Sequence, residues 1–159
     1  MKNATAKNIT QAAIIAALYV VLTILSNALG LANLQIQLRL SEMLTILPAL
    51  FPAAIPGLFI GCLLSNIITG ALIPDIIFGS IATVVAAALT YKLRSNKYLA
   101  VIPPIVCNTI AVPLILKYAY GIGPLAVSMF AILISELLSA GVCGILLYNS
   151  ISKYTDYIN

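Results

Sequence analysis

Histidine is absent from these 159 residues, and charge is scarce: eight Lys and Arg against four Asp and Glu make 8% of the chain, where a soluble domain carries roughly 25%. Without histidine the commonest general base and metal ligand is missing. There is no GxxxxGK[ST] phosphate loop, no HExxH and no GxSxG, so ATP binding of the Walker kind, zinc proteolysis and the nucleophile-elbow hydrolases are all excluded. The three cysteines, Cys62, Cys107 and Cys143, lie inside apolar runs without metal-ligand spacing and read as small core residues. Neither a metal nor a cofactor is expected, and the chain is not expected to be an enzyme. The net charge of +4 is spread over the ends of apolar segments rather than gathered in a patch, which speaks against a nucleic-acid partner.

What fills the space is apolar: 62% of residues are hydrophobic and the mean hydropathy is +1.13. A soluble fold of this size could not hide so much apolar surface, so the main solvent must be lipid. Six apolar runs bounded by charge, Pro or Gly cover about 8–29, 41–51, 57–69, 74–93, 98–118 and 124–152. They predict an all-α membrane protein, a compact bundle of six transmembrane helices forming a single domain over 1–159. The second and third runs are too short to cross about 30 Å of hydrocarbon comfortably. The basic N-terminus with its long apolar stretch predicts a retained first helix rather than a cleaved signal. With both termini cytoplasmic, an even number of spans gathers Lys2, Lys7, Lys92, Arg94, Lys97 and Lys153 on the inner side, as the positive-inside rule requires. Arg39, Glu42, Asp75 and Lys117 then fall on the outer one.

Several polar residues stand where a bundle has no need of them. Glu136, in "FAILISELLSAG", lies deep in the sixth run, where an ionisable group costs roughly 2.5–3.5 kcal/mol on insertion scales. Asn66 and Asn108 are intramembrane amides suited either to interhelical hydrogen bonds or to a ligand. Arg39 and Glu42, three apart in "LQIQLRLSEMLTILPALF", can pair if the helix begins before Arg39; one reading is an interfacial ion pair with Ser41 capping the helix, the other that Glu42 turns inward as a ligand acceptor while Arg39 fixes the loop. The alternation from Leu34 to Leu40 predicts a strand-like, structured outer loop between helices 1 and 2. Asp75 follows Pro74 in a first helical turn, where capping and ligand binding are equally good accounts. Lys117, Tyr118 and Tyr120 suit an interfacial belt or a stacking surface for a flat heterocycle. Ala12, Ala13, Ala16 and Ala17 make overlapping small-xxx-small pairs, open to internal packing or to a partner subunit.

The stretches "LRLSEMLTILPALFPAAIPGLFIGCLLSNI" (38–67) and "DIIFGSIATVVAAALTYKLR" (75–94) resemble the core of the QueT transporter family, substrate-binding S components of energy-coupling factor (ECF) transporters, and the likeness extends over nearly the whole chain. The resemblance implies a bacterial cell-membrane protein with an outward-facing pocket for a queuosine precursor, a 7-deazaguanine or queuine. It implies docking through the alanine pairs on an ECF transmembrane coupling subunit, with two partner ATPases hydrolysing the ATP, and delivery of substrate by toppling in the bilayer. Glu42 or Glu136 would read the guanine-like edge, Asp75 or the other glutamate would meet a cationic substituent, and Asn66 and Asn108 would complete the edge contacts. Arg39 is expected to shape the outer cap, with Lys117 and Tyr118 nearby. An S component for a different vitamin and a solitary secondary transporter are the rival readings.

Overall fold

The computed structural model describes residues 2–33 and 36–154. Helix α1 (Lys2–Ala28) leads into two antiparallel two-residue strands, β1 (Ala32–Asn33) and β2 (Ile36–Gln37). A 3-10 helix follows over Leu40–Ala49, then α2 (Ala54–Ile68). A π-helical turn at Asp75–Gly79 runs into α3 (Ser80–Lys92); after the short α4 (Lys97–Ala100) come α5 (Ile102–Tyr118) and α6 (Leu125–Glu136). A second π-helical stretch, Leu137–Cys143, joins α6 to α7 (Gly144–Ile151), and Ser152–Tyr154 closes the described chain with a 3-10 turn.

Among the described residues, four continuous helical stretches are long and apolar enough to cross a membrane: Thr5–Ala28, Asp75–Lys92, Lys97–Tyr118 and Leu125–Tyr154. The other two of the six expected runs form shorter helices. Ten residues of 3-10 helix reach about 20 Å and fifteen of α-helix about 22 Å, short of the hydrocarbon thickness. The 3-10 helix instead serves as the centre of the molecule. It buries Ser41, Glu42, Leu44, Thr45, Ile46, Leu47 and Pro48 and packs against α1, α3, α7 and Leu137–Cys143. Leu44, Leu47 and Phe51 meet Ile15, Tyr19 and Leu58 in one apolar cluster, while Ile46 joins Ala100, Val101 and Ile105 in another. On the outside, α1 exposes Ile14, Leu18, Val21 and Leu25, an apolar surface that only lipid or another apolar partner solvates well.

Of the strand-like segment, Leu34 and Gln35 lie outside the described residues. Ala32 pairs with Gln37 and Asn33 with Ile36, and Leu38 N–H donates to Leu31 O at 2.9 Å, so the ladder runs up to the residue before Arg39.

The alanine pairs divide between two faces. Ala13 and Ala17 are exposed, whereas Ala12 is half-buried and Ala16 is 7% exposed. Ala12 and Ala16 face Gly57 and Gly61 of α2, a GxxxG pair whose significance the sequence reading missed. A Cβ on Gly57 would come 2.7 Å from Ala12 O, and one on Gly61 would come 2.7 Å from Tyr19 Cβ and 3.1 Å from Ala16 O. The expectation that Ala12 and Ala16 offer a free docking face is therefore corrected: they hold α1 against α2. Gly61→Ala is expected to cost about 1–3 kcal/mol, the usual range for overpacking, seen as a lower melting temperature in detergent. Retention of the wild-type melting temperature would show that the helices can part without loss.

Candidate functional site

The order of the elements brings their ends together in two groups. One end of the bundle gathers the end of α1, the strand pair, Thr69 to Asp75, and the loop between α5 and α6; Asn27, Ala32, Thr69, Gly70, Tyr120 and Ile122 there line a common vestibule of about 220 Å³. At the other end, Lys97 Nζ donates to Asn149 Oδ1 at 2.6 Å, tying the start of α4 to α7. Beneath the vestibule, towards the bundle interior, lies a second and smaller space of about 20 Å³, lined by Tyr19, Gln37, Arg39, Glu42, Cys62, Asp75, Gly79, Thr83, Asn108, Val112, Ile132 and Glu136. It has room for roughly one water molecule.

Four charged residues line the inner space, three carboxylic acids and one guanidinium. Glu42 is 3% exposed and both of its oxygens are occupied: Tyr19 Oη–H donates to Oε1 at 2.6 Å, and Asn108 Nδ2 donates to Oε2 at 3.0 Å. The second proton of the same Asn108 amide goes to Glu136 Oε1, also at 3.0 Å. One amide thus bridges two glutamates from elements far apart in sequence. Glu136 Oε2 is buried and receives no hydrogen bond from the described residues. Such an atom is rare in a folded protein and costs stability until something donates to it.

Beside this group, Arg39 Nη1 donates to Asn66 Oδ1 across 3.4 Å, at the long end of the hydrogen-bond range. Asn66 Nδ2 in turn donates to Asp75 O at 3.4 Å and to Cys62 Sγ at 3.7 Å, and Thr83 Oγ1–H donates to the same sulfur at 3.4 Å. Cys62 is the small buried residue expected, and it also accepts hydrogen bonds at the site wall. Asp75 Oδ2 accepts the Tyr120 hydroxyl at 3.2 Å, and that hydroxyl accepts from Leu72 N–H at 2.9 Å. Burial, reinforced by Asp75, pushes the Tyr120 hydroxyl above its ordinary pKa.

Two local irregularities of the backbone lie at the acids. The π-helical turn begins at Asp75, and the second π-helical stretch begins one residue after Glu136. Wide turns of this kind concentrate at functional sites, because they re-aim side chains that a regular helix would direct elsewhere.

Of the eight residues expected at a binding site, the structure brings Arg39, Glu42, Asp75, Asn108 and Glu136 to the wall of the inner space, with Asn66 immediately behind. Lys117 and Tyr118 are not among them. Tyr118 is 76% exposed, and Lys117 is exposed with its Nζ 5.5 Å from the Tyr118 ring centre. Nine residues along a helix turn the side chain through about half a circle, which sends Lys117 away from the face that carries Asn108. The Arg39–Glu42 pair is corrected as well. The helix starts at Leu40 and Arg39 is extended, with φ −94° and ψ 113°, so the three-residue spacing no longer stacks the two side chains. Nor does Ser41 cap that helix; its Oγ accepts from Thr23 Oγ1 at 2.8 Å. Tyr19 was missed altogether. A lone tyrosine amid aliphatic residues carries no signal until its partner is seen across the helix interface.

A protein-family model described as QueT transporter matches residues 9–153. A curated relative, "Queuosine precursor transporter QueT" of Lactococcus lactis subsp. cremoris (strain MG1363), is 35% identical over 89 residues, covering 56% of this chain and 52% of that protein. The match thus spans about half the length of the relative. No solved structure matches the chain. A family match over nearly the whole length, on a helical bundle with a buried acidic site, places this chain in the QueT transporter family.

Proposed function

We propose that this chain is the membrane substrate-capture (S) component of an ECF-type importer and that it binds a queuosine precursor of the 7-deazaguanine type between the vestibule and the inner acidic space. The observation that carries the ligand class is Glu136 Oε2, a buried acceptor without a donor at the wall of a cavity whose other glutamate is fully engaged. An aminopyrimidine edge presents a ring N–H and an exocyclic N–H side by side, the pattern that a carboxylate accepts in a bidentate way. Glu136 reads that edge. Glu42, held by Tyr19, orients Asn108, and Asn108 fixes Glu136. The name of the Lactococcus relative supports the same ligand class.

The inner space is far too small for a bicyclic ring, so binding merges it with the vestibule. Arg39 lines both, and its one hydrogen bond among the described residues is long, which favours its turning aside. Release and energy are the business of partners, since the chain has no nucleotide-binding loop. A coupling subunit docks on the face of α1 that keeps Ala13 and Ala17 exposed, two ATPases drive the cycle, and the chain topples to deliver its ligand. The positive-inside rule orients the vestibule outward, with both termini cytoplasmic.

Calorimetry on the purified chain tests this reading, with 7-aminomethyl-7-deazaguanine, 7-cyano-7-deazaguanine, queuine and guanine as ligands and biotin and thiamine as controls. Saturable binding of a deazaguanine is the expected result, together with uptake by cells only when the coupling subunit and ATPases are co-expressed. Binding of a control vitamin alone, or of nothing, overturns the ligand; uptake without partners overturns the S-component role.

A further inference from the structure

We infer that the vestibule is a separate subsite for the substituent on the ligand's five-membered ring, and that Asp75 there selects a cationic one; this rests on the deazaguanine reading above. The inner space and the vestibule share three wall residues, Gln37, Arg39 and Asp75. Asp75 is therefore the one carboxylic acid, among the described residues, that faces both.

With the aminopyrimidine edge on Glu136, the opposite side of the bicycle carries the 7-substituent, and the adjoining space on that side is the vestibule. At about 220 Å³ it accommodates a small chain that the inner space cannot. Its walls are polar where the substituent would pass, with Asn27, Thr69, Tyr120 and Asp75 among them.

Asp75 is prepared for a cation. The Tyr120 hydroxyl occupies Oδ2, and because that hydroxyl is itself held by Leu72 N–H the carboxylate is fixed in direction. Oδ1 has no hydrogen-bond donor among the described residues. It is kept clear by Gly79, where an added Cβ would lie 3.2 Å from Oδ1 and 3.4 Å from Asn66 Nδ2. Arg39, on the wall of both spaces, is hydrogen-bonded to Asn66 and feels the Asp75 charge through space without a direct ion pair to it. An alkylammonium placed against Oδ1 gains a charge-assisted hydrogen bond, whereas a nitrile, which has no proton to donate, gains none.

The test is the ratio of two affinities measured on one protein, so that partial loss of folded material cancels. In the wild type, 7-aminomethyl-7-deazaguanine is expected to bind more tightly than the 7-cyano compound. In Asp75→Asn the ratio should fall by about tenfold or more, with the affinity for the cyano compound unchanged within about threefold. An unchanged ratio, or an equal loss for both compounds, overturns the inference and leaves the proposed function standing, because the wild type still binds the deazaguanine core. If the wild type binds queuine but neither compound, the inference is overturned and the proposed function stands; if it binds no deazaguanine at all, the proposed function fails and the inference falls with it.

Discussion

Glu136→Gln is expected to bind 7-aminomethyl-7-deazaguanine at least about a hundredfold more weakly than the wild type while melting at the same temperature or higher. The substitution keeps the shape and leaves an amide oxygen to accept from Asn108, so the bridge to Glu42 survives. It replaces the empty acceptor Oε2 with an N–H2 group that would confront the N–H donors of the ligand. Hydrogen bonds to a charged group are worth about 1.5–3 kcal/mol each, and about 1.4 kcal/mol corresponds to a factor of ten in affinity. Losing two of them, or reversing one, gives the expected factor. The empty protein loses nothing comparable, since a buried carboxyl oxygen without a donor is a cost in the first place. Calorimetry and thermal melting on the same preparation check both halves. A dissociation constant within threefold of wild type would remove Glu136 from the reading of the ligand.

Glu42→Ala is expected to behave in the opposite sense, with stability falling together with binding. Its carboxyl is the acceptor for both the Tyr19 hydroxyl and the Asn108 amide, and both donors are buried. Truncation strands the two, at about 1–3 kcal/mol for each unsatisfied group, and opens a void at the centre of the 3-10 helix around which α1, α3 and α7 pack. A loss of about 2–6 kcal/mol follows on that count, visible as a depressed melting temperature before any ligand is added. Binding declines because Asn108, freed on one side, no longer fixes Glu136. A variant that melted normally and lost only affinity would make Glu42 a direct ligand contact rather than the residue that positions one.

The contrast between the two glutamates marks the limit of what could be read from the chain itself. Glu136 stands out in sequence because a carboxyl group in a long apolar run demands an explanation, and Asn66 and Asn108 stand out for the same reason. Membrane residence follows from composition alone, because no other solvent could accept so much apolar surface. Membership in the QueT transporter family was likewise legible, since the residues that form the bundle core occupy long stretches of contiguous sequence.

Contact, however, depends on how helices are rotated and on which faces meet, and neither is written in a window of residues. By spacing alone Ala12 and Ala16 suit internal packing and a partner subunit equally, and only Gly57 and Gly61, pressed against them, decide for packing. Lys117 shares α5 with Asn108 but is exposed, because nine residues of helix turn its side chain about half a circle away from the buried amide. Glu42 and Arg39 are neighbours in sequence, yet the helix begins between them and divides their roles. What the sequence by itself determined was the solvent, the number of apolar segments, the family and the short roster of polar residues that lipid would not tolerate unexplained. What only the tertiary structure decided was which of those residues are already satisfied. Tyr19, Asn108 and Glu42 satisfy one another across 23 and 66 residues of chain, and a hydrogen bond left unmade, as at Glu136, exists only once every possible partner has been placed.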